Sequence, residues 1–259
     1  MGHANSKPTT PLEIPAELTT QGAFPHRLKA TYQKSLSKII ALLSDPDDPY
    51  GPSYTLSWGS GWKDYGDLTV HSGPTSEFPP LALARTTGKL GSEFHVTLPA
   101  LLPYRPEQHV EMARYVPSLK HETWWFATRI GQRDGDPGRV ERFEWRRSRG
   151  TEVKGVEGGS GSGWKLVRMG SDNERSVGSR ASKEGSGGEG GTVDGYTSDG
   201  KEVVAVWADA GGLTLSRVGA FEFRGSGATG ELGLLWSVMA VVTCMSIWHL
   251  ILQRNLAVM

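Results

Sequence analysis

From Leu232 to Gln253 no side chain carries a formal charge, and Trp236, Val238, Met239, Val241, Val242, Met245, Ile247, Trp248, Leu250, Ile251 and Leu252 fill most positions. As a helix this run is about 33 Å long at about 1.5 Å per residue. That length crosses a bilayer core of about 30 Å. It equally suits a helix enclosed by protein on every side. Whatever precedes this segment must therefore either cover it or be held at a membrane by it. Gly233, Ser237, Ala240 and Cys244 fall on one side at helical spacing. Such a small-residue stripe lets another backbone approach, either a second helix in lipid or a protein wall. Thr243, Ser246, His249 and Gln253 form a mildly polar stripe on the C-terminal half, which predicts a far end that reaches water.

The preceding chain reads as β-structure. From Ser53 the hydrophobic period is two, and short strands are predicted at 54–58, 68–71, 81–85 and 93–98. The clearest hairpin follows. Over 121–130, Trp124, Phe126, Thr128 and Ile130 face one way and Trp125, Ala127 and Arg129 the other. Asp134 to Gly138 turns the chain, and 140–149 returns with Phe143 and Trp145 opposite Arg142, Glu144 and Arg146. An aromatic face backed by a charged one describes a half-wet antiparallel sheet. Further strands are predicted at 164–168, 202–207 and 213–223. Over 28–43 the spacing of Leu28, Tyr32, Leu36, Ile39, Ile40 and Leu43 is helical, although a strand over 35–43 stays open. The total is about ten strands and one apolar helix. The 34 glycines and nine tryptophans suit short strands and turns. The Gly/Ser stretch 155–163 reads as a flexible hairpin loop. Gly170 to Gly200, rich in Gly, Ser and Glu, reads as a long flexible loop that cannot bury enough surface to fold.

The 259 residues suit one large domain, and 28 basic residues balance 28 acidic ones, so charge does not point to nucleic acid. A disordered tail is expected over 1–24 and a single domain over 25–253, the helix occupying 231–253. The one cysteine, Cys244, forms no disulfide within the chain, and no signal-peptide run opens it. A cytoplasmic protein is expected. Met1 to Lys7 matches the spacing of a myristoylation signal, with His3 as an unfavourable neighbour, so acylation at Gly2 stays open beside an ordinary frayed tail.

Motifs for chemistry are sparse. His121-Glu122 lacks the second histidine that a zinc-protease helix needs four residues on, where Trp125 stands. Gly158 to Gly163 is glycine-rich, but no Lys-Ser/Thr follows it to make a phosphate loop. No Gly-x-Ser-x-Gly elbow occurs. A non-enzymatic protein with no cofactor or metal is expected. One cluster stands out. Arg142, Arg146, Arg147, Arg149, Lys154, Lys165 and Arg168 lie on two neighbouring predicted strands and their connection, diluted by Glu141, Glu144, Glu152 and Glu157. Two readings stay open for it: a solvated face with cross-strand ion pairs, or an anion site for lipid phosphates at a membrane surface.

The order of elements resembles the tubby C-terminal-like superfamily, which includes tubby, LURP-one-related and phospholipid scramblase proteins. The stretches 68–74 with 79–82, 143–146 with 163–168, and 202–207 look like those of uncharacterised fungal members. The resemblance spans about Lys34 to Gln253. It implies a closed antiparallel β-barrel around a central hydrophobic C-terminal helix, mainly β in class, with strand rather than helix over 35–43. By analogy it implies contact with phosphoinositides or other membrane lipid headgroups, or with a protein partner. The alternative is a tail-anchored membrane protein with a cytosolic β domain and a span at 232–253. No acylated cysteine cluster or calcium-ligand run of the scramblase type is present.

Overall fold

The computed structural model describes residues 11–33, 40–59, 67–88, 91–102, 105–116, 122–131, 138–170, 195–210 and 216–258. The possible acylation site at Gly2, His121, most of the Asp134–Gly138 turn and residues 171–194 of the glycine-rich loop lie outside them.

Twelve antiparallel strands form one closed barrel. In chain order they are β1 (Arg27–Gln33), β2 (Ile40–Ser44), β3 (Ser53–Trp58), β4 (Leu68–His71), β5 (Pro80–Thr87), β6 (Glu93–Leu98), β7 (His109–Val116), β8 (Thr123–Ile130), β9 (Arg139–Ser148), β10 (Gly159–Gly170), β11 (Val203–Ala210) and β12 (Arg217–Phe223). Each pairs with its neighbour in sequence, and β12 closes on β1 through Leu28↔Phe221 and Ala30↔Gly219. Closure leaves no free sheet edge.

The helical spacing over 28–43 is overturned. Leu28, Ala30, Ala41 and Leu43 alternate inward along β1 and β2. A repeat of four is also an even number, so it puts Leu28 and Tyr32 on one face of a strand as readily as on one face of a helix. The strand implied by the resemblance is what forms at Ile40–Ser44. β7 occupies a stretch that no sequence pattern marked.

The terminal helix, α4 (Leu234–Val258), fills the barrel. Every residue from Leu234 to Ile247 is buried. The helix backbone runs closest to β4, β5, β6 and β8, and β5 presents small inward residues there, Ala82 and Ala84. The opposite wall, β9 to β12, carries Phe143, Trp145, Trp164, Trp207, Phe221 and Phe223, which span the wider gap. Trp236 packs against Phe143 and Phe223 at centroid distances of 5.5 and 5.8 Å. Two glycines make room for Trp207. A Cβ on Gly163 would lie 1.9 Å from the Trp207 carbonyl oxygen, and one on Gly219 2.3 Å from its ring.

The polar stripe on α4 is inside rather than at the water. Thr243 accepts a hydrogen bond from Trp145 Nε1 at 2.9 Å and donates to the Met239 carbonyl at 2.7 Å. Ser246 donates to the Val242 carbonyl at 2.9 Å. His249 is buried against Trp58, and only Gln253 at the stripe's end is half-exposed.

Two further boundaries move. The expected disordered tail over 1–24 gives way from residue 11 to described structure. α1 (Ala16–Gln21) buries Leu18 completely and ends on Gly22 in the left-handed region, and Phe24 meets Tyr54 edge-on at 4.7 Å. The expected flexible loop over 155–163 is instead a tight turn after α2 (Thr151–Lys154) and the start of β10. Val153 and Val156 cover the outer face of β11 at Val206 and Ala208, which is why 203–208 is apolar without alternation.

A chain ended at Gly230 uncovers Trp124, Phe126, Phe143 and Trp145, each of which gains about 1.5–3 kcal/mol from burial, against a domain stability of about 5–15 kcal/mol. It is expected to lose its near-UV circular dichroism and its cooperative melt; a truncated chain that melts cooperatively would show that the barrel stands without α4. Thr243→Val leaves the Trp145 indole N–H buried without an acceptor and should cost about 1–3 kcal/mol in urea unfolding, while Thr243→Ser should restore most of it.

Candidate functional site

The seven cations singled out in the sequence do not form one surface. Arg142, Arg146 and Lys165 point outward from β9 and β10, on the side opposite Phe143, Trp145 and Leu166. Glu144 lies 2.9 Å from both Arg142 and Arg146, Asp199 lies 3.2 Å from Arg146, and Glu152 lies 2.9 Å from Lys165. Arg142 also covers the outward ring of Trp125 at 4.4 Å. Asp199 belongs to the C-terminal end of the expected flexible loop. Residues 195–200 are fixed there by a Tyr196↔Glu202 bridge and by the Arg146 contact, and the buried Thr197 bonds the Lys201 backbone. Arg149 and Lys154 are exposed and have no carboxylate partner among the described residues.

Arg168 faces the other way, into the mouth of the barrel where α4 begins. It donates from Nε to Glu141 at 2.6 Å and from Nη1 to Ser226 at 3.0 Å and Glu231 at 3.1 Å. Glu202 accepts from the backbone and hydroxyl of Ser226, at 2.7 and 2.9 Å, at the start of α3 (Gly225–Ala228). Burial alone would lower the Arg168 guanidinium, but the Glu141 carboxylate holds it raised. Burial likewise opposes ionised Glu141, yet Arg168 and Arg139 keep its carboxyl below the usual range. The network ties β9, β10 and β11 to the turn that admits α4. At the same mouth Glu111 accepts from Arg105 and Thr128, each at 3.3 Å, and burial raises its acid. Burial, with Arg105 nearby, lowers the neighbouring His109 to about 4.

The mouth where α4 leaves is built mainly of aromatic rings. Trp248 packs against Trp58 and Tyr32 at 5.8 and 6.0 Å, and His249 stacks on Trp58 at 4.8 Å. Arg147 comes to this rim. Its guanidinium lies over Trp164 at 5.4 Å and 3.4 Å from Asp209. Asp209 also accepts from Trp207 Nε1 at 2.9 Å, and burial pushes its acid up. Arg254 on α4 reaches Glu122 at 3.4 Å. This constellation is not legible in the sequence, because its members come from β9, β10, β11 and α4. The one available signal was that Arg147 shares the inward parity of Phe143 and Trp145.

Among the described residues no three His, Cys, Asp or Glu side chains come together as a metal site. Cys244 is buried in α4, where burial raises its thiol. Compared with known proteins, the chain matches no protein-family model, no curated protein and no solved structure.

Burial lowers His249 to about 4, whereas an exposed imidazole titrates near 6.5. Below about pH 6.5 the unfolded chain takes up a proton that the folded chain refuses. Stability is therefore complete above that pH and falls as pH drops toward 4, by at most about 3 kcal/mol from this group. Urea midpoints measured from pH 7.5 to 4.5 should fall, and His249→Gln should flatten part of the slope. An identical slope in that variant would assign the acid sensitivity elsewhere, His109 being the next group.

Proposed function

We propose that the protein is a non-enzymatic binding barrel that works from its outer surface at anionic membrane lipid headgroups, with α4 as its core rather than its anchor. The observation that carries this reading is the unbroken burial of Leu234 to Ile247. A helix in that position leaves no ligand chamber along the barrel axis, so recognition is left to the wall and the rims. The resemblance to the tubby C-terminal-like superfamily, in element order and in a helix enclosed by strands, supports lipid headgroups as the partner by analogy of fold. Arg142, Arg146, Lys165 and Arg168 are occupied by carboxylates, so attraction to a negative leaflet falls to Arg149 and Lys154 at about 1 kcal/mol each. A second reading, a tail anchor, is favoured by the apolar length of Leu234–Leu256. It requires α4 to leave a barrel whose inward aromatic residues it covers.

Co-sedimentation of the full chain with phosphatidylserine and phosphoinositide vesicles tests both readings. Salt-sensitive binding is expected, weakened at least about tenfold by Arg149→Glu with Lys154→Glu. Neither substitution breaks an ion pair, so the fold should be kept. Equal sedimentation of parent and double variant at low and high salt would refute headgroup binding at this site, and retention on cell membranes through a carbonate wash would favour the tail anchor.

A further inference from the structure

At the mouth where α4 leaves, a cavity of about 220 Å³ lies between the helix and the rim. Its apolar lining comes from Trp164 on β10 and from Trp248, Ile251 and Leu252 on α4, and its charged lining is Arg147, Asp209 and Arg217 at the start of β12. We propose that this cavity binds a small amphipathic organic anion, a medium-chain fatty acid or an aryl-alkanoic acid, with its carboxylate on Arg147 and its apolar part against Trp248, Ile251 and Leu252.

Three observations carry the assignment. First, the Arg147 guanidinium is only partly engaged. Its one ionic contact among the described residues is the 3.4 Å approach to Asp209, and a guanidinium has five N–H donors in a planar fork suited to a carboxylate. Stacking on Trp164 fixes that fork at the edge of an apolar wall. Second, Asp209 does not compete strongly for it. One Asp209 oxygen accepts from the Trp207 indole at 2.9 Å and the other stands 3.4 Å from a single Arg147 nitrogen, so the remaining donors of the guanidinium are left for an incoming carboxylate. Third, the helix changes character at this level. Upstream of Trp248 its side chains are buried all round, whereas Trp248, Ile251 and Leu252 are each half-exposed, and the last two line the cavity without a polar group between them. An apolar floor beside a cation seated on a ring, with the exposed Arg217 as a second cation in the lining, has the make-up of a small-ligand site, and barrel mouths are among the usual places for one. The volume falls below the roughly 300–1,000 Å³ of sites for drug-sized ligands, which limits the occupant to a medium chain or a single ring.

This assignment rests on α4 remaining in the barrel and not on membrane docking, since Arg149 and Lys154 do not line the cavity. The test is calorimetric titration of the full chain with octanoate and with 3-phenylpropanoate, octanol serving as the uncharged control. One site is expected for at least one of the two acids. Arg147→Met, which keeps an aliphatic cover over Trp164, should weaken it at least tenfold, and Arg149→Met should leave it unchanged. Leu252→Asp, at the half-exposed end of α4, should abolish it without altering near-UV circular dichroism, which keeps the test decisive if Arg147→Met perturbs folding. The proposal is overturned if neither acid binds, if octanol binds as tightly as octanoate, or if Leu252→Asp retains the parent's affinity. Loss of vesicle binding with acid binding intact would remove the headgroup reading alone.

Discussion

A closed barrel of twelve strands is too wide to be filled by its own side chains. About eight strands leave an interior that side chains just fill, and the diameter grows with strand number. An α-helix about 10–12 Å across with its side chains is the filler used here, and the rest of the molecule is arranged around it. The helix lies off-centre, close to β5, where Ala82 and Ala84 keep the wall thin, and the larger gap on the other side is taken up by Phe143, Trp145, Phe221 and Phe223. Gly163 and Gly219 belong to the same constraint, since Gly163 lets β10 approach the Trp207 backbone and Gly219 lets β12 approach the Trp207 ring.

The two mouths solve different problems. Where α4 enters, the chain must turn from β12 through α3 into the barrel axis, and this turn exposes backbone groups and carboxylates. Arg168 gathers Glu141, Glu202 and Glu231 around it, and Glu202 caps the Ser226 backbone. A buried cation of this kind adds little net stability over a well-packed apolar substitute, but removing one partner strands the others. Its service is to define how the helix enters. Where α4 leaves, no turn is needed and the rim is closed by rings. The packing there is looser, which leaves room beside Trp248.

Much of the fold was legible because period-two alternation is strong wherever one face is buried. The inward set Trp124, Phe126, Phe143 and Trp145 and the apolar helix could be read directly. β7 could not, because its inward positions near the mouth are His109 and Glu111 while Val110 outside is 60% exposed. Its pattern is inverted by its position at a polar rim. The basic cluster was legible as composition but not as a site. Sequence neighbours showed the cations on β9 and β10, yet their partners Asp199, Asp209 and Glu231 are far along the chain and are brought in by the pairing of β11 with β10 and by the segments that precede β11 and α4. Arg168 looked equivalent to Lys165. One step of strand register separates an inward side chain from an outward one; the register against β9 runs unbroken from Gly163 to Arg168, so the three-residue spacing of Lys165 and Arg168 already places them on opposite faces.

The polar stripe of α4 bears on what this helix is built to meet. In hydrocarbon, Thr243 and Ser246 can satisfy themselves on the preceding turn, so they alone would not distinguish lipid from protein. Trp145 does distinguish them. Its indole N–H points to the barrel interior, among phenyl rings and aliphatic chains, and the acceptor it finds is the Thr243 hydroxyl. If α4 were drawn out, that donor would lose its partner in a dry interior, and His249 would leave the Trp58 ring for a medium that offers it nothing. Apolar length alone fits either solvent. The Thr243 hydroxyl is matched to an indole on β9 and the His249 ring to Trp58 on β3, and those two matches, which lipid does not offer, suit α4 to the barrel interior.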